Sequence, residues 1–232
     1  MGILFDKGAV TPPYSNPGRS TVIPMTTTRA ARGRPRAVSR AMLEDAATEL
    51  FLEQGYAKTS VEQIAQRAGV SRNTFFNYFS GKADVFWVGI DGADRTLRRT
   101  LAEIDDSWAP LEGVTRAVLA VAADFGPSSV PWVLTHATII GSIDDLRSTA
   151  ADRVAAVSEL IGLHLAGRTG LPTHDIRVRG AANAVTAAIV TALGAWSAAG
   201  VSRGALEPFV ATALAPAVRG FDEELAHAAS VQ

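Results

Sequence analysis

The sequence predicts an all-α protein, a small three-helix domain followed by a larger helical body, and three observations predict it. Apolar residues recur at three- and four-residue spacing from residue 39 almost to the C-terminus, the period of one helix face. No segment alternates apolar and polar residues as a half-buried strand would, and no internal repeat is present. Glycines, prolines and capping residues cut the pattern into pieces of helical length.

Residues 1–28 carry Pro12, Pro13, Pro17 and Pro24 among Gly, Ser and Thr, a composition that predicts a disordered tail. The tail lacks the basic start and apolar run of a secretory signal. Met25 is an alternative start, and whether residues 1–24 belong to the native chain stays open. Residues 29–38 form a basic arm around Arg32-Gly33-Arg34-Pro35-Arg36, held extended by the proline. Met42, Leu43, Ala46, Ala47, Leu50 and Phe51 then make the stripe of a first helix, which Gly55 ends. Thr59, with Glu62 three residues on, has the spacing of a capping box for a second helix, buried through Val61, Ile64, Ala65 and Ala68. Gly69 breaks it, and Ser71 caps a third, short helix ending near Tyr78, with Phe75 and Phe79 in the small core.

From residue 83 to 232 the chain reads as one helical body. A long segment over 82–104 carries Phe86, Ile90, Leu97 and Leu101, and Ser80 is placed to cap it. Pro110 opens a helix to Phe125, and Pro131 one to about Gly141. Leu146–Gly167 and Asp175–Ala199 follow, the second very rich in alanine. Ser202 is placed to cap the last helix, which Pro216 should kink. The apolar run from Ala181 to Val201 reads as a helix buried between others rather than a membrane span.

Composition narrows the function. The chain has no cysteine, which excludes disulfides, zinc-thiolate sites and cysteine nucleophiles and fits a reducing cytoplasm. His136, His164, His174 and His227 are scattered without ligand spacing, so no metal is expected, and no cofactor motif is present. No phosphate-binding glycine loop, nucleophile motif or acid–base pair appears, and Asp105-Asp106 and Asp144-Asp145 read as caps and solvated loop charges. An enzyme is therefore not expected. The net charge of −1 hides an asymmetry: residues 29–82 hold nine basic against five acidic residues, residues 83–232 eleven against seventeen. A basic front on an acidic body suits a protein that touches nucleic acid at one end.

The functional signal lies in residues 59–82. Thr59-Ser60-Val61-Glu62-Gln63-Ile64-Ala65, Ala68-Gly69-Val70-Ser71, Thr74-Phe75-Phe76-Asn77-Tyr78-Phe79 and Lys82 describe a helix-turn-helix whose tight turn needs a residue tolerant of positive φ. Without a gap from about Ser39 to Phe86, this pattern resembles the DNA-binding domain of the TetR family. Phe76 stands where a tyrosine is common in that family, Asn77 where histidine or arginine is frequent, and Gly81 where a serine is usual. These departures bear on single contacts and not on the fold.

The resemblance implies that the third helix enters the major groove with Ser71, Arg72, Asn73 and Thr74 toward base edges and Asn77 beside them. Arg72 suits a bidentate pair with guanine, and Asn73 one with adenine. Thr59 and Ser60 offer hydroxyls and helix N-terminal N–H groups to a phosphate, and Tyr78 and Lys82 clamp the backbone on the other side. Arg32 and Arg34 suit an A·T-rich minor groove. One such motif reads few base pairs, so a homodimer on a palindromic double-stranded operator is expected, with half-sites about 34–36 Å apart or a multiple of that. The last two long helices are the expected interface, through Ile189, Leu193, Trp196, Phe209, Val210, Leu214 and Phe221.

The other body helices are expected to enclose a cavity for a small, hydrophobic effector, lined by Phe86, Trp87, Phe125, Trp132, Thr135, His136, Ile139 and His164. The reading is a cytoplasmic repressor that a small effector releases from DNA. A ligand-independent regulator or an activator is the alternative, because no residue sets the sign of regulation.

Overall fold

The computed structural model describes residues 40–128, 130–136 and 144–230, and among them every regular element is helical. Three short helices, α1 (Arg40–Gln54), α2 (Val61–Arg67) and α3 (Arg72–Phe76), make a head. A 3-10 segment, Lys82–Trp87, leads into the body: α4 (Val88–Glu103), α5 (Pro110–Ala123), α6 (Trp132–Thr135), α7 (Asp144–Thr169), α8 (Ile176–Ala198) and α9 (Glu207–Ser230). The basic arm with Arg32 and Arg34, and Ile139, lie outside the described residues.

The head is built on the apolar stripe of α1, which buries Leu43, Ala46, Ala47, Leu50 and Phe51 against Ile64 and Ala65 of α2 and Phe75 of α3. Gly55 closes α1 at φ 84°, donating its N–H to the Phe51 carbonyl at 3.0 Å. The box that starts α2 sits one residue later than expected. Ser60 Oγ accepts from the Gln63 N–H at 3.2 Å while Gln63 Oε1 accepts from the Ser60 N–H at 2.8 Å. Thr59 is only 2% exposed, and its hydroxyl turns inward to donate to the Gly55 carbonyl at 2.9 Å, which leaves Ser60 as the extended cap. Arg67 at the end of α2 reaches Glu49 at 3.0 Å and Glu53 at 2.7 Å, tying α2 to the outer face of α1. Gly69 makes the turn at φ 71°, and Ser71 caps α3 by accepting from the Thr74 N–H at 3.0 Å.

The chain leaving the head is not the single helix that the sequence suggested. Ala83, Val85, Phe86 and Trp87 are all buried, a crowding that a 3.6-residue helix with one inward face does not provide and a tight 3-10 segment does. Ser80 does not cap it by its hydroxyl; its N–H donates to Asp84 Oδ2 at 3.1 Å, and Gly81 occupies the cap position without a side chain. Val133 of α6 and Leu146 of α7 complete the head's core, so the body seals the head from behind.

A second core fills the body, from Leu97, Leu111, Val114, Ile161, Leu165, Val178, Val185, Trp196, Leu214 and others. Helix α8 is the one described helix long and apolar enough to cross a membrane by length and composition. It packs along α7 and α9, burying Val178, Ala181, Ala182, Val185, Ala188, Ala192 and Trp196, and that packing accounts for its composition. Asp175 caps α8 by accepting from the Arg177 N–H at 2.9 Å; hydrogen bonds from Arg177, the side-chain one foremost, draw its carboxyl down to about 2. Ser202 lies in a 3-10 turn, Gly200–Ser202, and donates to Ala199 rather than capping the last helix. Helix α9 begins at Glu207 and runs through Pro216 as one assigned helix, with the proline on an exposed face.

Candidate nucleic-acid interface and internal cavity

The edge of the head formed by the start of α3 is exposed and polar. Ser71, Arg72, Asn73 and Asn77 are exposed, and Thr74 and Tyr78 are half-buried. Beneath them Phe75 and Phe79 are buried with ring centroids 5.3 Å apart, so the polar residues stand on a rigid aromatic base. Arg72 Nε lies 2.6 Å from Glu62 Oε1 and its guanidinium lies 4.9 Å from the centre of the exposed Phe76 ring. Phe76, where the family resemblance led one to look for a missing phenol, thus supports the arginine by its ring face. The Glu62 carboxyl sits below its ordinary pKa, held first by a backbone N–H and the Ser60 hydroxyl and then by Arg72. Ser71 and Thr74 hydroxyls lie 2.8 Å apart, a local pair that fixes both at the helix start.

Two expected phosphate contacts have other uses. Thr59 is buried, and its hydroxyl is committed to the α1 C-terminus; this is a correction, because the inward rotamer that satisfies the Gly55 carbonyl removes it from the surface. Lys82 Nζ donates to the Tyr56 and Thr59 carbonyls, each at 2.9 Å, and sits 4.1 Å from the centre of the Tyr56 ring. It braces the loop between α1 and α2 from below. Ser60 remains half-exposed at the start of α2.

Within the body, a cavity of about 550 Å³ opens between α4, α5, α7, α8 and the start of α9. Its wall is apolar, with Ile90, Leu97, Val118, Val157, Ile189 and Leu193 among its residues. Asp91, Asp94, Arg95 and Arg153 bring the charge. Asp94 holds Arg98 at 3.5 Å through Oδ2, while its Oδ1 is buried with no hydrogen-bond partner among the described residues. Such an acceptor on an apolar wall is a place where a ligand donor would gain a bond.

Of the eight residues expected to line the cavity, Trp87 and Phe125 do. Phe86, Trp132 and His136 instead form an aromatic stack continuous with Phe51 of α1: centroids lie 4.6 Å apart for Phe51–Phe86, 4.4 Å for Phe86–Trp132 and 4.0 Å for Trp132–His136. They join head to body, because large flat rings are what the seam between two small cores requires. Thr135 is exposed and bonds back to the Trp132 carbonyl at 2.9 Å. His164 faces Arg168 and Asp106 at a different side of α7, where burial, and next the Arg168 charge, push its imidazole below the ordinary range. The residues that sequence reasoning missed, Asp91, Asp94 and Arg153, are charged and lie on helices far apart in the chain; no local pattern marks them.

The expected dimer residues also divide. Trp196 is fully buried and donates its indole N–H to the Gly204 carbonyl at 3.0 Å; Val210 and Leu214 are buried beside it. These three are expected at the dimer face, and the structure buries them in the subunit's own core, where α9 folds back over α8. Ile189, Leu193 and Val210 line the cavity. Phe221 is half-buried with its ring 3.0 Å from where a Cβ on Gly180 would stand, and Phe209 is half-buried against the body core. The exposed faces of α8 and α9 carry other residues: Ala187, Val190, Thr191 and Gly194 on one, Pro208, Ala211 and Thr212 on the other.

Three helices with a glycine turn and a polar, exposed start to the third define a helix-turn-helix DNA-binding protein. Residues 43–86 match the family of bacterial regulatory proteins of the tetR type, and residues 108–222 match the MftR C-terminal domain. The chain belongs to the TetR family of transcriptional regulators. It is 29% identical over 143 residues to the putative mycofactocin biosynthesis transcriptional regulator MftR of Mycobacterium tuberculosis, across 62% of this chain and 72% of that one. It is 37% identical over 135 residues to the HTH-type regulator TcmR of Streptomyces glaucescens, across 56% of this chain and 59% of that one, so the second match spans less than two thirds of its relative. Among solved structures, the Thermus thermophilus FadR repressor in complex with lauroyl-CoA superposes with a TM-score of 0.52 at 24% identity, covering 78% of this chain and 94% of that one. That likeness is one of fold. The relatives are regulators and not enzymes, and the chain is a regulator.

Proposed function

We propose that the protein is a dimeric repressor that binds a palindromic operator and leaves it when a small, largely apolar effector enters the body cavity. The observation that carries this reading is the presence, in one compact unit, of an exposed polar start to α3 and an apolar cavity of about 550 Å³ whose wall includes Trp87, itself in the head's core. An effector acts by favouring a dimer whose two heads are mis-spaced for DNA. In this reading Arg72 and Asn73 read bases, Ser71, Thr74 and Asn77 flank them, Ser60 and Tyr78 hold phosphates, and Lys82 orders the loop behind Ser60. The basic arm with Arg32 and Arg34 adds minor-groove affinity. The dimer forms through the exposed small residues of α8 and α9, where closely approaching helices are possible. Domain limits follow this division: a tail over 1–28, the arm over 29–38, the reading domain over 39–82 and the effector and dimer body over 83–232. The effector's inner end bears a hydrogen-bond donor for Asp94.

The test is selection of bound DNA from a random pool at fixed salt, followed by titration of the recovered site. A palindrome bound by one dimer is expected, and its affinity should fall when an apolar ligand that binds the cavity is added. Enrichment of no sequence would reject the specific-regulator reading, and a palindrome that no cavity ligand weakens would reject the effector.

A further inference from the structure

The cavity and the reading head share one cluster of charges. Arg153 on α7 and Asp91 on α4 both line the cavity. Arg153 Nε donates to Asp91 Oδ1 at 2.8 Å, and its terminal nitrogen reaches Asp84 Oδ1 at 3.3 Å. Asp84 belongs to the 3-10 segment, where its second oxygen accepts the Ser80 N–H at 3.1 Å, just past the end of the α3 region. The second oxygen of Asp91 accepts from Arg40, at the start of α1, at 3.2 Å, and the Arg40 guanidinium lies 4.7 Å from the centre of the Phe79 ring. Two cations and two carboxylates thus run from the cavity wall to both ends of the head.

The arrangement has the properties that a transmitting element needs. Arg153 and its two carboxylates are each about one-fifth exposed, at 22% against 21%, so solvent screens them less than the surface pairs elsewhere in the chain. Arg153 is shared: it holds two aspartates from different turns at once, and withdrawing it leaves Asp84 without its cation and Asp91 with Arg40 alone. Its guanidinium also lies 5.0 Å from the centre of the Trp87 ring, and Trp87 donates to Thr149 Oγ1 at 2.9 Å, so a ligand against that indole presses on the same point. The aromatic stack through Phe86 and Trp132 joins head and body too, but neither residue lines the cavity.

We propose that Arg153 is the positioning residue through which occupancy of the cavity reaches the DNA-reading head, by exchanging or straining its bonds to Asp84 and Asp91. This inference rests on the effector-responsive reading above. With Arg153 seated, Asp84 holds the Ser80 turn and Asp91 holds α1. With Arg153 displaced, the 3-10 segment and α4 lose their charge link to α7, and the heads of a dimer lose a fixed spacing.

The test uses the full chain, its selected palindrome, and Nile red, a neutral apolar dye whose fluorescence reports binding and whose affinity does not depend on an ion pair with Arg153. Operator affinity is measured without dye and at saturating dye for the wild type, Arg153→Met and Arg153→Lys. In the wild type, dye should weaken operator binding by about fivefold or more, the lower range of ordinary allosteric coupling. In Arg153→Met at equal dye occupancy the change should shrink to less than about twofold, and Arg153→Lys should restore part of it. A residue that merely stabilised the fold would alter both affinities without altering their ratio. Asp91→Asn, which keeps side-chain volume and removes the same link from the opposite side, serves if Arg153→Met does not fold, with the same loss of coupling expected. Equal weakening in the wild type and the variants would overturn the inference and leave the effector reading standing. No weakening of the wild type at saturating dye would overturn both.

Discussion

The head and the body of this regulator obey different physics. The head's exposed polar edge is built by local rules: a glycine at positive φ, a serine cap, a three-residue step from the exposed Arg72 to the buried Phe75. In the body, the main feature is an apolar cavity to which α4, α5, α7, α8 and α9 each contribute a few residues. The contrast teaches why one half can be assigned from the chain's order and the other cannot. A reading helix is a property of consecutive residues, whereas a cavity is a property of what several helices leave unfilled.

The contrast is sharpened first by Trp196→Ala. Trp196 is the largest fully buried side chain of the body, so its truncation should cost about 3–5 kcal/mol, measured by urea unfolding at fixed protein concentration. If Trp196 were instead an interface residue, the variant would dissociate on dilution while each subunit stayed folded, and the division between core and dimer face drawn above would fail.

Glycine substitutions break the comparison from the backbone side. Gly69→Ala in the head should destabilise by about 1–2 kcal/mol, because φ is 71° there and no neighbouring atom lies within 4 Å of the new Cβ to add any other effect. Gly167→Ala in the last turn of α7, equally open but with ordinary φ, should stabilise by about 0.5 kcal/mol. Opposite signs in thermal unfolding would show that the head's glycine is a conformational requirement; equal signs would refute it.

The smallest effect concerns His164. Its imidazole is half-buried, its Nε2 has no hydrogen-bond partner among the described residues, and burial holds its folded-state pKa below the ordinary value. The unfolded chain therefore binds the proton more readily as pH falls below about 6.5, and stability declines through that window until the folded pKa is passed. His164→Gln should flatten the pH dependence of the melting temperature between pH 6.5 and the lower folded value. An unchanged slope would mean that another group governs it.

How much of this was legible in the sequence follows the same division. The all-helical class, the α1 stripe, the glycine turn, the Ser71 cap and the placement of Phe75 and Phe79 all follow from spacing, and the structure has them. The box at the start of α2 was misplaced by one residue, because Thr59 and Ser60 both suit a cap and only the three-dimensional position of the Gly55 carbonyl decides between them. The segment after α3 looked helical throughout, since a 3-10 turn with four buried residues has no distinct period. In the body, aromatic residues near polar ones suggested a pocket, but Phe86, Trp132 and His136 were needed at the seam between two cores. Trp196, Val210 and Leu214 were assigned to the dimer because apolarity alone does not tell a subunit's inside from its interface.

In the proposed regulator the head decides which sequence is bound and the body decides how tightly. This division is tested most directly by selecting half-sites from random DNA with the wild type, with Arg72→Ala in the head, and with Leu193→Trp, which narrows the cavity. Arg72→Ala should relax preference at one base position, by about 1–3 kcal/mol, while Leu193→Trp should keep the wild-type half-site and alter affinity alone. A changed half-site in Leu193→Trp, or an unchanged one in Arg72→Ala, would contradict it.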